Sequence, residues 1–154
     1  MPSSWEPPDP GYDTRVRASF ARQTVMATIG AHLTGVAPGA IDIELPYRGD
    51  LTQQHGFLHA GVITIIADSA CGYAALSLMP AKASVLTVEY KVNLLAPAAG
   101  ERMIARGRVM KPGKTLTVCT ADVVAVTDGR EKTIATMTGT LMAIYDRPDV
   151  SAGF

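Results

Sequence analysis

The residue types best able to do chemistry lie together in QQHGFLHAGVITIIADSACGYAAL, residues 53–76. From Ala60 to Leu76 the stretch is apolar and rich in small residues, and its length predicts one helix with Asp68 as the only acid. Carboxylates are rarely enclosed in apolar surroundings without a purpose, so Asp68 is a candidate general base or nucleophile. The bland alternative is that Asp68 caps a second helix after a break at Ala67. The helix start at Ala60 offers N–H groups without intrahelical partners and the positive end of the macrodipole, both suited to a developing oxyanion. His59, just before it, fits an orienting role better than proton transfer. His55 and His59 stand four apart, but Gly56 lies between them and no acid or cysteine is spaced to complete a site, so no metal is expected.

The surrounding pattern must position these groups. RVRASFARQTVMATIGAHL, residues 15–33, places Phe20, Met26, Ile29 and Leu33 at near-helical spacing, with Gly30 as a candidate end. AIDIELPY (40–47) alternates apolar and acidic residues as a half-buried strand does. After the long helix the period becomes two. SVLTVEYKVNLL (84–95), ERMIARGRVM (101–110), TLTVCTADVVAV (115–126) and KTIATMTGTLMAIY (132–145) predict four more strands, with Asp128-Gly129 marking a tight hairpin. The expectation is one α+β domain over 14–146: an N-terminal helix and five antiparallel strands against the long helix. Residues 1–13, with four prolines, and 147–154 read as tails. One sheet covers one side of a helix, so the remaining apolar perimeter calls for the N-terminal helix or a second copy.

Composition excludes several classes. Among 154 residues 47% are hydrophobic and 18% charged, which suits a packed domain and not a disordered one. A formal net charge of zero gives no general attraction to nucleic acid or anionic membrane, and neither is expected as a partner. Cys71 and Cys119 form no disulfide framework, and no signal-like run opens the chain, so a cytoplasmic protein with reduced thiols is expected. Residues 60–79 approach membrane-spanning length, but a central Asp costs roughly 2.5–3.5 kcal/mol on insertion scales and no basic cluster flanks the stretch.

The order Q-x-x-G-x-L-H-A-G-x6-D, then TVEYKVNLLAPAAGE and VMKPGKT, resembles the hotdog-fold acyl-CoA thioesterases of the phenylacetic-acid-degradation (PaaI-like) branch, over about residues 30–145. The resemblance implies a hotdog fold, in which a curved antiparallel sheet wraps a central helix. It also implies dimers, often paired into tetramers, that hydrolyse coenzyme A thioesters, with coenzyme A as part of the substrate and no separate cofactor. The family's His-Gly-Gly maps onto His59, Ala60 and Gly61, with Gly61 at the substrate, and its acid onto Asp68. Its amide maps onto Gln53, a second oxyanion donor, and its hydroxyl after the helix onto Thr87, which would hold the attacking water. Ala60 replaces a glycine, keeping the N–H but adding a methyl that bears on substrate size. Arg106 and Arg108 share a strand face and are candidates for the coenzyme A phosphates, with solvated surface as the alternative. Met79, Met103, Met110, Met137 and Met142 read as core or acyl-pocket lining.

Spacing adds its own constraint. Eight residues of helix span roughly 12 Å at 1.5 Å each, whereas a base must come within about 3 Å of its target. Asp68 therefore cannot serve a carbonyl held at the start of its own helix. Antiparallel helices about a two-fold axis would bring each Asp68 to the other's Ala60, giving two composite sites per dimer. Two rivals keep the fold and change the role: a non-catalytic acyl-CoA-binding sensor, and a hydratase or dehydratase, for which His59 and Asp68 have the wrong spacing.

Overall fold

In the computed structural model, which describes residues 5–147, each two-residue alternation forms an antiparallel strand. The chain runs α1 (Tyr12–Arg22), α2 (Thr24–Ile29), β1 (His32–Ala37), β2 (Ala40–Pro46), a 3-10 turn (Gly49–Leu51), α3 (Ala60–Leu76), β3 (Ser84–Leu94), β4 (Arg102–Lys111), β5 (Leu116–Thr127) and β6 (Arg130–Ile144). The sheet order is β1-β2-β4-β5-β6-β3, with every neighbouring pair antiparallel. β5 and β6 join through Asp128 and Gly129, both at positive φ (50° and 72°), as the Asp-Gly signal predicts.

The sheet has six strands where five are expected, and the N-terminal helix is shorter and broken. Gly30 takes the left-handed conformation (φ 77°, ψ 29°) and closes α2, which frees His32–Ala37 to pair with β2 as an edge strand. Leu33 continues the helical spacing of Ile29, and that coincidence hides the strand in the sequence. The break between α1 and α2 falls at Gln23, which is extended (φ −79°, ψ 90°).

α3 lies against β2 to β6. Ile63, Ile66, Ala67, Ala70, Cys71 and Ala74 are buried, and the sheet answers with Met103, Ala105, Ala121, Val123 and Met137. Gly107 on β4 is where helix and sheet approach most closely: a Cβ there would fall 2.3 Å from the Ala70 carbonyl, so any side chain would force the layers apart. Among the less buried positions of α3, Gly61, Thr64, Ile65, Asp68 and Gly72 recur at three- and four-residue spacing and form one stripe. Asp68 is on that stripe.

Arg15 ties α1 to the end of α3. Its guanidinium donates to the carbonyls of Leu76, Met79, Pro80 and Ala83 at 2.7–3.2 Å, satisfying acceptors that a helix C-terminus leaves open, and it pairs with Asp9 at 3.0 Å. Asp9 lies in the expected N-terminal tail, of which residues 1–4 are outside the described residues, as are 148–154 of the C-terminal one. Cys71 and Cys119 are free thiols, both buried. Among the described residues, no helix is long and apolar enough to cross a membrane.

Candidate active site

The start of α3 is built by its own preceding loop. His59 is the N-cap, with its Nδ1 accepting from the Gly61 N–H at 2.8 Å. A Cβ at residue 61 would stand 3.0 Å from that nitrogen, so glycine there lets the imidazole reach its cap position. Val62 and Ile63 donate to the His59 carbonyl at 2.9 and 3.2 Å. Of the first four N–H groups, only that of Ala60 lacks an acceptor among the described residues. His59 thus caps the helix, Gly61 has its N–H engaged by that cap, and Ala60 presents the open donor.

That donor faces a cleft of about 440 Å3 walled by Phe57, Leu58, Ile63, Leu94, Leu95 and Ile134, with Gln53 at its edge. Gln53 Oε1 accepts from the His55 N–H, so the amide nitrogen is the end left for a ligand.

Asp68 occupies a second, smaller cleft of about 140 Å3, lined also by Gln23, Ser69, Gly72, Tyr73, Val85 and Thr87. Burial raises its pKa, and the hydrogen bond from Thr87 partly offsets this by favouring the charged form. Thr87 Oγ1 donates to Asp68 Oδ1 at 2.8 Å. A β-bulge between Thr87 and Glu89 locally shifts β3 against β6. Thr87 therefore steadies the carboxylate directly, and its hydroxyl oxygen keeps lone pairs that can accept. The two clefts have no lining residue in common: within one protomer the acid and the open N–H are apart.

Arg106 and Arg108 are away from both clefts. They flank Gly107, whose position faces α3, and so lie on the opposite face of β4. Arg106 makes a two-pronged pair with Glu131 (2.6 and 2.8 Å), and Arg108 pairs with Asp42 at 2.8 Å. Both guanidiniums have carboxylate partners on other strands of the sheet. Met79, Met103 and Met137 are buried, Met110 is exposed, and none lines either cleft. The sequence reading missed Gln23, whose position depends on a helix break that no Gly or Pro announces.

Comparison with known proteins agrees with this architecture. A profile of the thioesterase superfamily matches residues 55–132, the span from the loop before α3 to the start of β6. A thioesterase family protein of Silicibacter pomeroyi has 59% identity and a TM-score of 0.86, over 88% of this chain and 99% of that one. The PaaI protein of the E. coli phenylacetic acid degradation operon has 20% identity and a TM-score of 0.78, over 86% and 93% of the two chains, which is a likeness of fold. A Saccharolobus solfataricus protein provisionally named an esterase is 35% identical over 52% of this chain, and the match spans 56% of that relative's length. The chain belongs to the thioesterase superfamily, on the hotdog fold of its PaaI-like members.

Proposed function

We propose that this protein hydrolyses acyl-CoA thioesters to the free acid and coenzyme A, at composite sites formed where two copies meet. One copy supplies Asp68 and Thr87. The other supplies the Ala60 N–H, the Gln53 amide and the apolar cleft that receives the acyl group. Asp68 either takes a proton from the attacking water or attacks the carbonyl itself to give a mixed anhydride. In both routes the oxyanion forms against the Ala60 N–H, the C–S bond breaks, and the thiolate leaves.

The observation that carries this reading is the sheet edge. β3 is terminal in the sheet, eleven residues long, and exposes Leu86, Val88, Tyr90 and Leu94, each 46–54% accessible. The other edge, β1, is six residues long and irregular. Long apolar edges are ordinarily covered, and β3, although it has a bulge and carries Glu89 and Lys91, is much the longer of the two edges and exposes a row of large apolar side chains. β3 also borders both clefts, with Val85 and Thr87 at Asp68 and Leu94 at the apolar one, followed there by Leu95. Pairing β3 antiparallel with a second β3 about a two-fold axis near Tyr90 exchanges these ends. Each acid cleft then meets the other copy's apolar cleft. The stripe of Gly61, Thr64, Ile65, Asp68 and Gly72 would face the same junction, with glycine at two of its positions. Free, buried thiols suit a reducing compartment such as the cytoplasm.

Thiol release from a panel of aryl and aliphatic acyl-CoA esters tests this. The wild type should turn over at least one class, and Asp68→Asn should lower kcat by about 10²–10⁴-fold. Tight binding without turnover, or turnover indifferent to Asp68→Asn, would overturn it.

A further inference from the structure

One polar side chain in the Asp68 cleft has no part in the reaction as described. Gln23 enters that cleft because the backbone is extended between α1 and α2, which interrupts the helix and turns this residue toward Ser69 and Asp68. Ser69 Oγ donates to Gln23 Oε1 at 3.3 Å, fixing the orientation of the amide. The carbonyl end is engaged, while Nε2 keeps its N–H groups with no acceptor among the described residues.

The hydroxyl donors of Thr87 and Ser69 are committed. The Thr87 proton goes to Asp68 Oδ1 and the Ser69 proton to Gln23 Oε1. The Tyr73 hydroxyl shares a 3.4 Å contact with Ser19. Asp68 keeps Oδ2 as an acceptor. A water positioned for attack needs more than that one partner. By donating to Oδ2 it leaves its lone pairs free to swing, and a donor on one lone pair fixes where the other points.

Resting on the thioesterase reading above, we infer that Gln23 is a further catalytic residue: its Nε2–H donates to the water that Asp68 activates, aiming the second lone pair at the thioester carbonyl. The step balances. Oδ2 takes one water proton, the water oxygen bonds to the carbonyl carbon, the C–S bond breaks, and the leaving thiolate recovers the proton from Asp68. α1 and α2 then do more than cover the core, since the break between them delivers a donor to the site.

Steady-state kinetics of Gln23 variants on a turned-over acyl-CoA test this. Gln23→Ala should lower kcat about tenfold or more, the worth of one oriented hydrogen bond, with KM within about twofold. Gln23→Met, which keeps the length but has no N–H, should lose the same amount, and serves should the shorter variant be unstable. Gln23→Glu should lose activity and move the acid limb of the kcat profile upward, because a second carboxylate beside Asp68 opposes its ionisation. No other residue lining that cleft carries a carboxylate, ammonium or guanidinium. Wild-type kcat in Gln23→Met, or an unmoved acid limb in Gln23→Glu, would overturn this inference alone while Asp68-dependent turnover stands. A wild type that cleaves no thioester would overturn the thioesterase reading, and this inference with it.

Discussion

The cleft at the start of α3 encloses about 440 Å3 between apolar side chains; the cleft at its midpoint encloses about 140 Å3 and is lined largely by polar ones. The larger has room for an acyl group and an open N–H at Ala60, but no acid. The smaller has an acid with a raised pKa, held by Thr87, but little room. Each lacks what the other supplies. The difference teaches why α3 carries its acid eight residues from its N-terminus under the proposed reading: one chain alone keeps the two halves apart, and a second copy would bring them together.

That comparison can be broken at either end. Beyond the loss of the acid itself, the largest expected effect comes from Ala60→Pro. Proline is well tolerated at the first helical position, and His59 already has the extended backbone (φ −60°, ψ 139°) that a following proline requires. The substitution therefore removes the one open N–H and little else. Loss of an oxyanion donor lowers kcat by about 10²–10³-fold, while thermal melting should be almost unchanged. An Ala60→Pro protein with wild-type kcat would remove that end of the site from the chemistry.

A smaller effect is expected at the other end. The Thr87 hydroxyl favours the ionised form of Asp68, against the burial that disfavours it. Thr87→Val removes the favourable contact, so the Asp68 pKa should rise further. The base works only when ionised, so the acid limb of the kcat profile should move to higher pH, with a loss of about tenfold or less on its alkaline side. An acid limb that stays in place would mean that Asp68 is not the group that limb reports.

Much of this was legible in the sequence, because α3 and β2 to β6 each declare themselves by a local period. Ala60–Leu76 is a low-charge, small-residue run, and each strand alternates within a residue or two of its observed bounds. The pairing of Asp68 with Thr87 follows once α3 and β3 are neighbours. What was not legible depends on long-range register or on a backbone break. β1 was hidden because Leu33 fits the spacing of the helix before it. Arg106 and Arg108 look free in the sequence, since Glu131 and Asp42 lie on other strands and reach them only through the sheet. Gln23 has no motif, and its place in the cleft comes from the turn between α1 and α2. The His59 cap needs the actual rotamer, although Gly61 permits it.

The central claim, that acid and oxyanion donor come from different chains, is tested most directly by mixing Asp68→Asn with Ala60→Pro. Each alone should be nearly inactive. After unfolding and refolding together in equal amounts, half the dimers are mixed, and each holds one site with both groups intact. Activity should return to about a quarter of the wild-type value per chain. Proven exchange of subunits with no return of activity would contradict the account.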